Sequence, residues 1–263
     1  MRAVLDRLDE RLREGLIKPT GRAGKGISAV LTVLAFILLM MTRTLNLIAD
    51  AQMSVRIATA VCLALPLAAM LVFALRGEKG LLGTWGLCAL CAAAMLARVS
   101  FIERSAGDYE YYLADWLQKL SAGSFADGMR QNIGEYNVLY QYILFIITRL
   151  SVPSLYAVKA VSFIGDAFLA GAAASLAEKD GEPNMAAFGA MLLLPTVVLN
   201  GGMFAQCDSL YAACALWGLA LALREKPARA AVCFALSLAF KLQAVFMLSL
   251  IHISEPTRHA QIS

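Results

Sequence analysis

The chain has 263 residues, 60% of them hydrophobic, with a formal net charge of +4 and a mean hydropathy of +0.67. That composition excludes a soluble domain of this length and predicts an all-α polytopic membrane protein. The small positive charge is no sign of nucleic-acid binding, because much of it lies in one N-terminal segment.

That first segment, residues 1–26, carries Arg2, Arg7, Arg11, Arg13, Lys18, Arg22 and Lys25 among four acids. Its spacing predicts a basic amphipathic helix on the cytoplasmic membrane surface. A span needs about 20 mostly apolar residues. Residues 27–41, 57–75, 81–99, 155–176, 185–199, 210–223 and 230–247 meet or approach that length, and 138–150 is shorter. The expectation is therefore about seven to eight apolar helices. Cys88 and Cys91 have C-x-x-C spacing inside one of them without polar neighbours, which reads as packing rather than a redox or metal pair.

Basic loops set the orientation. A cytoplasmic N-terminus places residues 100–137 outside as a long loop, and the basic run at 224–229 belongs inside, so 200–209 is external too. Three apolar segments separate the two external stretches, which breaks parity unless one fails to cross. Residues 138–150 rise only about 20 Å as a helix, against a hydrocarbon core of roughly 30 Å, and are the first candidate. The alternative is 155–176, which contains Lys159 and Asp166. Within the external loop, 115–121 and 125–133 have the spacing of short interfacial helices.

Polar side chains beside membrane helices are costly and mark candidate sites. The loop stretch SAGDYEYYLADW, residues 105–116, offers Asp108 as a general base among Tyr109, Tyr111, Tyr112 and Trp116, aromatics that suit sugar faces. The stretch NGGMFAQCDS, residues 200–209, offers Asn200, Gln206 and Asp208. Asp208 could bind a metal, orient an acceptor or simply cap the helix beginning at Ser209. Lys241 and Gln243 lie inside the last span, where the lysine either holds a phosphate, pairs with an acid or snorkels. Lys159 and Asp166, seven residues apart on one helix face, pose the same question. The sequence shows no Walker motif, no G-x-G-x-x-G, no metal-spaced Cys/His set and no Ser-His-Asp arrangement.

These residues resemble the GT-C class of polytopic glycosyltransferases, especially bacterial relatives of the dolichyl-phosphate-mannose-dependent mannosyltransferases. The G-D-Y-x-x-[FY]-L-x-x-W pattern is matched at 107–116, W-G-Q-x-D-S at 204–209, F-K-x-Q-A at 240–244, and K-x-x-S-x-x-x-D by Lys159, Ser162 and Asp166. Phe204-Ala205 replaces the usual Trp-Gly, and Asp115 replaces the Pro before Trp116. The resemblance implies an inverting transfer at the external face of a bacterial plasma membrane. The donor would be a polyprenyl-phosphate sugar and the acceptor a glycan, lipid or protein of the cell envelope. Asp108 would be the base and Lys241 would hold the donor phosphate. Tyr109, Trp116, Lys159, Asp166, Asn200, Gln206, Asp208 and Gln243 would bind substrate. No cofactor is assigned; a divalent cation is possible in this class, but two carboxylates do not establish one. The rival readings are a transporter or lipid flippase with Lys159, Asp166 and Lys241 lining a path, and a non-catalytic assembly subunit.

Residues 248–258, LSLIHISEPTR, resemble a translated sequencing adapter, and the fit continues to Ser263. The expectation is therefore a membrane module at 27–247, an artefact at 248–263, no role for His252 or His259, and an inactive truncated product.

Overall fold

The computed structural model describes residues 15–16, 18–131, 133–134 and 136–246, so the expected surface segment at 1–26 lies in part, and the tail at 248–263 wholly, outside the described residues. The chain is an all-α membrane protein. Helices α1 (Arg22–Leu47), α2 (Met53–Ala74) and α3 (Leu81–Val99) come first. A π-helical turn (Tyr109–Leu113) runs into α4 (Ala114–Ser121), followed by α5 (Phe125–Arg130) and α6 (Val138–Ile147). Then come α7 (Ser154–Leu176), α8 (Met185–Leu193), α9 (Pro195–Gly202), α10 (Asp208–Leu223) and α11 (Pro227–Phe240).

Among the described residues, four helices, α1, α2, α3 and α7, are long and apolar enough to cross a membrane, and α8 with α9 forms a fifth candidate bent by 51°. The bend has a local cause. Proline lacks the amide proton a continuous helix needs and disfavours helical backbone in the residue before it. Leu194 accordingly takes φ −60°, ψ 120°, and Pro195 opens α9. The segment expected as one span at 185–199 is thus a broken one.

Helix α7 is the axis of the bundle. It packs against α2, α8 and α10, and most of its side chains are buried. Gly165 lets Leu210 approach, because a Cβ there would lie 3.1 Å from the Leu210 amide nitrogen. Phe163, Phe188, Met70 and Met95 fill the main core around it.

A second core, built on Leu113, Trp116, Leu120, Tyr140 and Leu144, lies beneath the loop helices. The Ser124 hydroxyl caps α5 reciprocally with Asp127. The Gln141 side-chain amide donates to the carbonyls of Gly128 (2.7 Å) and Gln131 (3.1 Å), tying α5 to α6. The loop at 100–137 is therefore a packed cap rather than a linker.

The parity question has a geometric answer. Asp108 and Gln206 touch, so the two motifs share one end of the bundle. α6 has 10 residues, about 15 Å, and cannot cross. α7, with 23 residues, can. The path from Asp108 to Gln206 thus goes down α7 and returns through α8 and α9. At the opposite end, Arg224 donates to the Ser175 carbonyl (2.8 Å) and pairs with Glu178, while Lys25 donates to the Gly77 carbonyl.

Candidate active site

Two acids, two amides and one lysine converge at the cap end. Asp108 follows Gly107, whose φ of +55° turns the chain sharply out of the post-α3 segment. Asp108 occupies the N-terminal position of the π-helical turn but makes no capping bond there. Its carboxylate accepts a hydrogen bond from the Gln206 side-chain amide.

Gln206 is presented by an unusual backbone. Ala205 adopts φ +54°, a left-handed conformation that costs a non-glycine residue about 1–2 kcal/mol. This is the position where the resembled pattern carries glycine. The Gln206 amide donating to the Asn200 carbonyl (3.0 Å) closes the turn.

Asn200 then links the acids. Its side-chain amide donates to Gln206 Oε1 at 2.7 Å and to Asp208 Oδ2 at 3.4 Å. Asp208 is not the cap of the following helix. It is the first residue of α10, with Cys207 at the cap position, and the helix N-terminus favours its charge. Its other oxygen takes a 2.6 Å ion pair from Lys241 Nζ.

Lys241 differs from expectation. It does not sit inside a span over 230–247, because α11 ends at Phe240 and Lys241 is extended (φ −152°, ψ 132°). Leaving the helix turns the ammonium toward Asp208 rather than into hydrocarbon, where it would be costly. The backbone released by this break is re-satisfied by Asn137, whose amide donates to the Phe240 carbonyl at 3.3 Å and whose side chain donates to that of Leu238. Lys241 Nζ also stands 4.9 Å from the centroid of Tyr136 and 5.8 Å from that of Tyr211.

Asp108, Gln206, Asp208, Lys241 and Gln243 line one cavity of about 950 Å³. Tyr112, Trp116 and Tyr136 form an aromatic wall, their rings linked at 6.1 Å and 5.7 Å between centroids. Gly134 closes that wall: its φ is +64°, and a Cβ there would lie 1.9 Å from Trp116. Leu242, Val245 and Phe246 line a third side and are exposed. Burial, then the nearby thiol of Cys207 and the two carboxylates, push the Tyr136 hydroxyl well above its ordinary range, so it remains a neutral donor.

Other expected binders lie elsewhere. Asn200 stands behind the cavity wall as a linker. Tyr109 is half-buried against the second core and is not among the cavity-lining residues. Lys159 and Asp166 are both fully buried and neither lines the cavity. Nor do they pair with each other. Lys159 Nζ donates to the carbonyls of Phe101 (2.7 Å), Ile102 (3.1 Å) and Arg104. Asp166 is paired with Arg98 at 2.8 Å and accepts from the Ser209 hydroxyl. A transport path lined by Lys159, Asp166 and Lys241 loses its first two members to these protein-internal bonds.

Three residues escaped the sequence reading. Tyr136 gave no signal and Gly134 none beyond loop punctuation, since a lone aromatic and a lone glycine in a loop look ordinary. Arg98 did give one, as an arginine within an apolar span.

Residues 137–254, somewhat under half of the chain, match the family described as alpha-(1->6)-mannopyranosyltransferase, N-terminal domain. No curated protein and no solved structure matches. The family match covers α6 to α11 and so includes Gln206, Asp208 and Lys241, and it supports a mannosyltransferase-type glycosyltransferase.

Proposed function

We propose that this protein transfers a mannose-type sugar from a polyprenyl-phosphate donor to a cell-envelope acceptor at the external face of a bacterial plasma membrane. The observation that carries the reading is the convergence of Asp108, Gln206, Asp208 and Lys241 on one cavity with an aromatic wall and an exposed apolar mouth. The aromatic wall suits the C–H face of a sugar. Leu242, Val245 and Phe246 offer the prenyl chain an apolar path. Lys241 has three donors, and the pair with Asp208 leaves two for the donor phosphate.

In the reaction, the acceptor hydroxyl oxygen attacks the anomeric carbon from the face opposite the phosphate. The bond between that carbon and the phosphate oxygen breaks, with its electron pair leaving on the phosphate. Asp108 takes the hydroxyl proton, and the Gln206 amide fixes its carboxylate for that step. Negative charge grows on the departing phosphate, where a positioned ammonium stabilises it most. Among the described residues no group of three or more His, Cys, Asp or Glu side chains is arranged to hold a metal ion. A divalent cation would have to rest on Asp108 or Asp208 together with the substrate phosphate.

Charge in the short loops supports this orientation: 76–79 and 224–229, at the end opposite the cavity, carry Arg76, Lys79, Arg224, Lys226 and Arg229, which reads as cytoplasmic. The membrane module is 27–247 in this reading. The test is transfer in liposomes by the protein with its uninterrupted reading frame in place of 248–263, using labelled polyprenyl-phosphate mannose or labelled nucleotide mannose, with an envelope lipid extract as acceptor. Product should form from the lipid phosphate alone. Product from the nucleotide sugar alone would sink the proposal.

A further inference from the structure

Helix α7 bears two buried charges that the transfer reaction does not use. Each reaches out of the helix to a segment carrying one of the two cavity acids. Lys159 gathers the carbonyls of Phe101, Ile102 and Arg104, the stretch that follows α3 and ends four residues before Asp108. Asp166 accepts from Ser209, the residue next to Asp208, and is anchored in turn by Arg98. Arg98 itself donates to the carbonyls of Ala94 (3.0 Å) and Leu192 (2.9 Å), so the anchor extends to the end of α8 beside the break.

We propose that α7 is a strut that sets the spacing of the two cavity acids, with Lys159 and Asp166 as positioning residues acting through the Asp108 and Asp208 segments. The inference rests on the transferase reading above. The physical reason is that each acid stands at a turn whose exit must be held: Asp108 follows the left-handed Gly107, and Asp208 opens α10 three residues after the left-handed Ala205. Hydrogen bonds from buried charged groups are about twice as strong as neutral ones. Three carbonyls collected on one ammonium therefore hold a loop that apolar contacts alone would leave free to shift. A misplacement of about 1 Å at a reacting group can lower a rate about 10²-fold. Loss of the Lys159 arm disturbs the Asp108 segment, while the Asp208–Lys241 pair, held from the Asp166 side, stays in place.

The test compares Lys159→Met, Lys159→Arg, Asp108→Asn and the double variant Lys159→Met/Asp108→Asn in the liposome transfer assay with polyprenyl-phosphate mannose. Lys159→Met should lower kcat by about 10- to 100-fold with donor KM changed less than about 3-fold. Lys159→Arg, which keeps the charge and the donors, should recover most of kcat. The double variant should be no slower than Asp108→Asn, because the lysine acts through that carboxylate. A folded Lys159→Met protein with the original kcat would overturn the strut. So would the same proportional loss in both backgrounds, which marks a general fall in folded protein. If Lys159→Met does not fold, Ser209→Ala takes its place. It should lower kcat several-fold, with recovery in Ser209→Thr, and an unchanged kcat again overturns the strut. Full transfer by Asp108→Asn would refute the base assignment and the strut with it. A dead Asp108→Asn beside a fully active Lys159→Met would refute the strut alone.

Discussion

Gly134→Ala probes the aromatic wall most sharply. A Cβ at Gly134 would lie 1.9 Å from Trp116 Cζ2, 2.3 Å from Cη2 and 2.4 Å from Cε2, so the indole must move. The backbone resists as well, because φ at Gly134 is +64°. The left-handed conformation costs alanine about 1–2 kcal/mol, and separating Trp116 from Tyr136 forfeits an edge-to-face pair of about 0.5–1.5 kcal/mol. The sum, about 1.5–3.5 kcal/mol, corresponds to a drop of roughly 3–14 °C in the thermal midpoint of a chain this size. The assay is thermal unfolding of the purified protein in detergent, for Gly134→Ala alone and in a Trp116→Ala background. With the indole gone, only the backbone cost of about 1–2 kcal/mol should remain. An unchanged midpoint in the single variant would refute the reasoning, and so would an equal drop in both backgrounds.

Lys241→Met should cut kcat/KM for the lipid-phosphate donor by about 10²- to 10³-fold, and Lys241→Arg should retain part of it; steady-state transfer kinetics decide. Asp166→Asn strands the fully buried Arg98 guanidinium and should destabilise the fold by about 3–5 kcal/mol, read from thermal or denaturant unfolding. Replacing both partners, Arg98→Met with Asp166→Leu, should cost less than that single change. Burial, reinforced by the adjacent Asp208, pushes the Cys207 thiol from its ordinary value of 9.0 up to about 12. The folded chain then keeps a proton that the unfolded chain loses. The stability from this neutral thiol is full below pH 9 and falls as pH rises from 9 toward 12, so Cys207→Ser should flatten the alkaline limb of the stability curve.

Apolar length was legible in the sequence where helices are simple. The span expected at 81–99 is α3 to the residue, and 155–176 differs from α7 by one. Breaks were harder to read. The bend in 185–199 was written in Pro195, but the segment's uniform hydropathy masked it. The end of α11 was hidden differently: Leu242, Val245 and Phe246 continue the apolar pattern, although they line a cavity after the helix has stopped. Composition reports affinity for hydrocarbon and not whether the backbone there is helical. The acids and Lys241 stood out because charge near lipid is costly. Lys159 and Asp166 stood out for the same reason, yet their bonds run to carbonyls, Ser209 and Arg98 instead of the cavity. A buried charge announces that it has partners, and the sequence does not say whether they are substrate or protein. Tyr136 and Gly134 depend on a chain path that brings the loop beside Lys241, which no local pattern encodes.

The central claim is that Asp108 removes the acceptor proton at a cavity it shares with Asp208 and Lys241. It is tested most directly by single-turnover transfer from labelled polyprenyl-phosphate mannose by Asp108→Asn, with donor binding measured on the same preparation. The account predicts that transfer falls by about 10²- to 10⁴-fold while donor binding stays within a few-fold. Transfer at the original rate by a protein that still binds donor would contradict it.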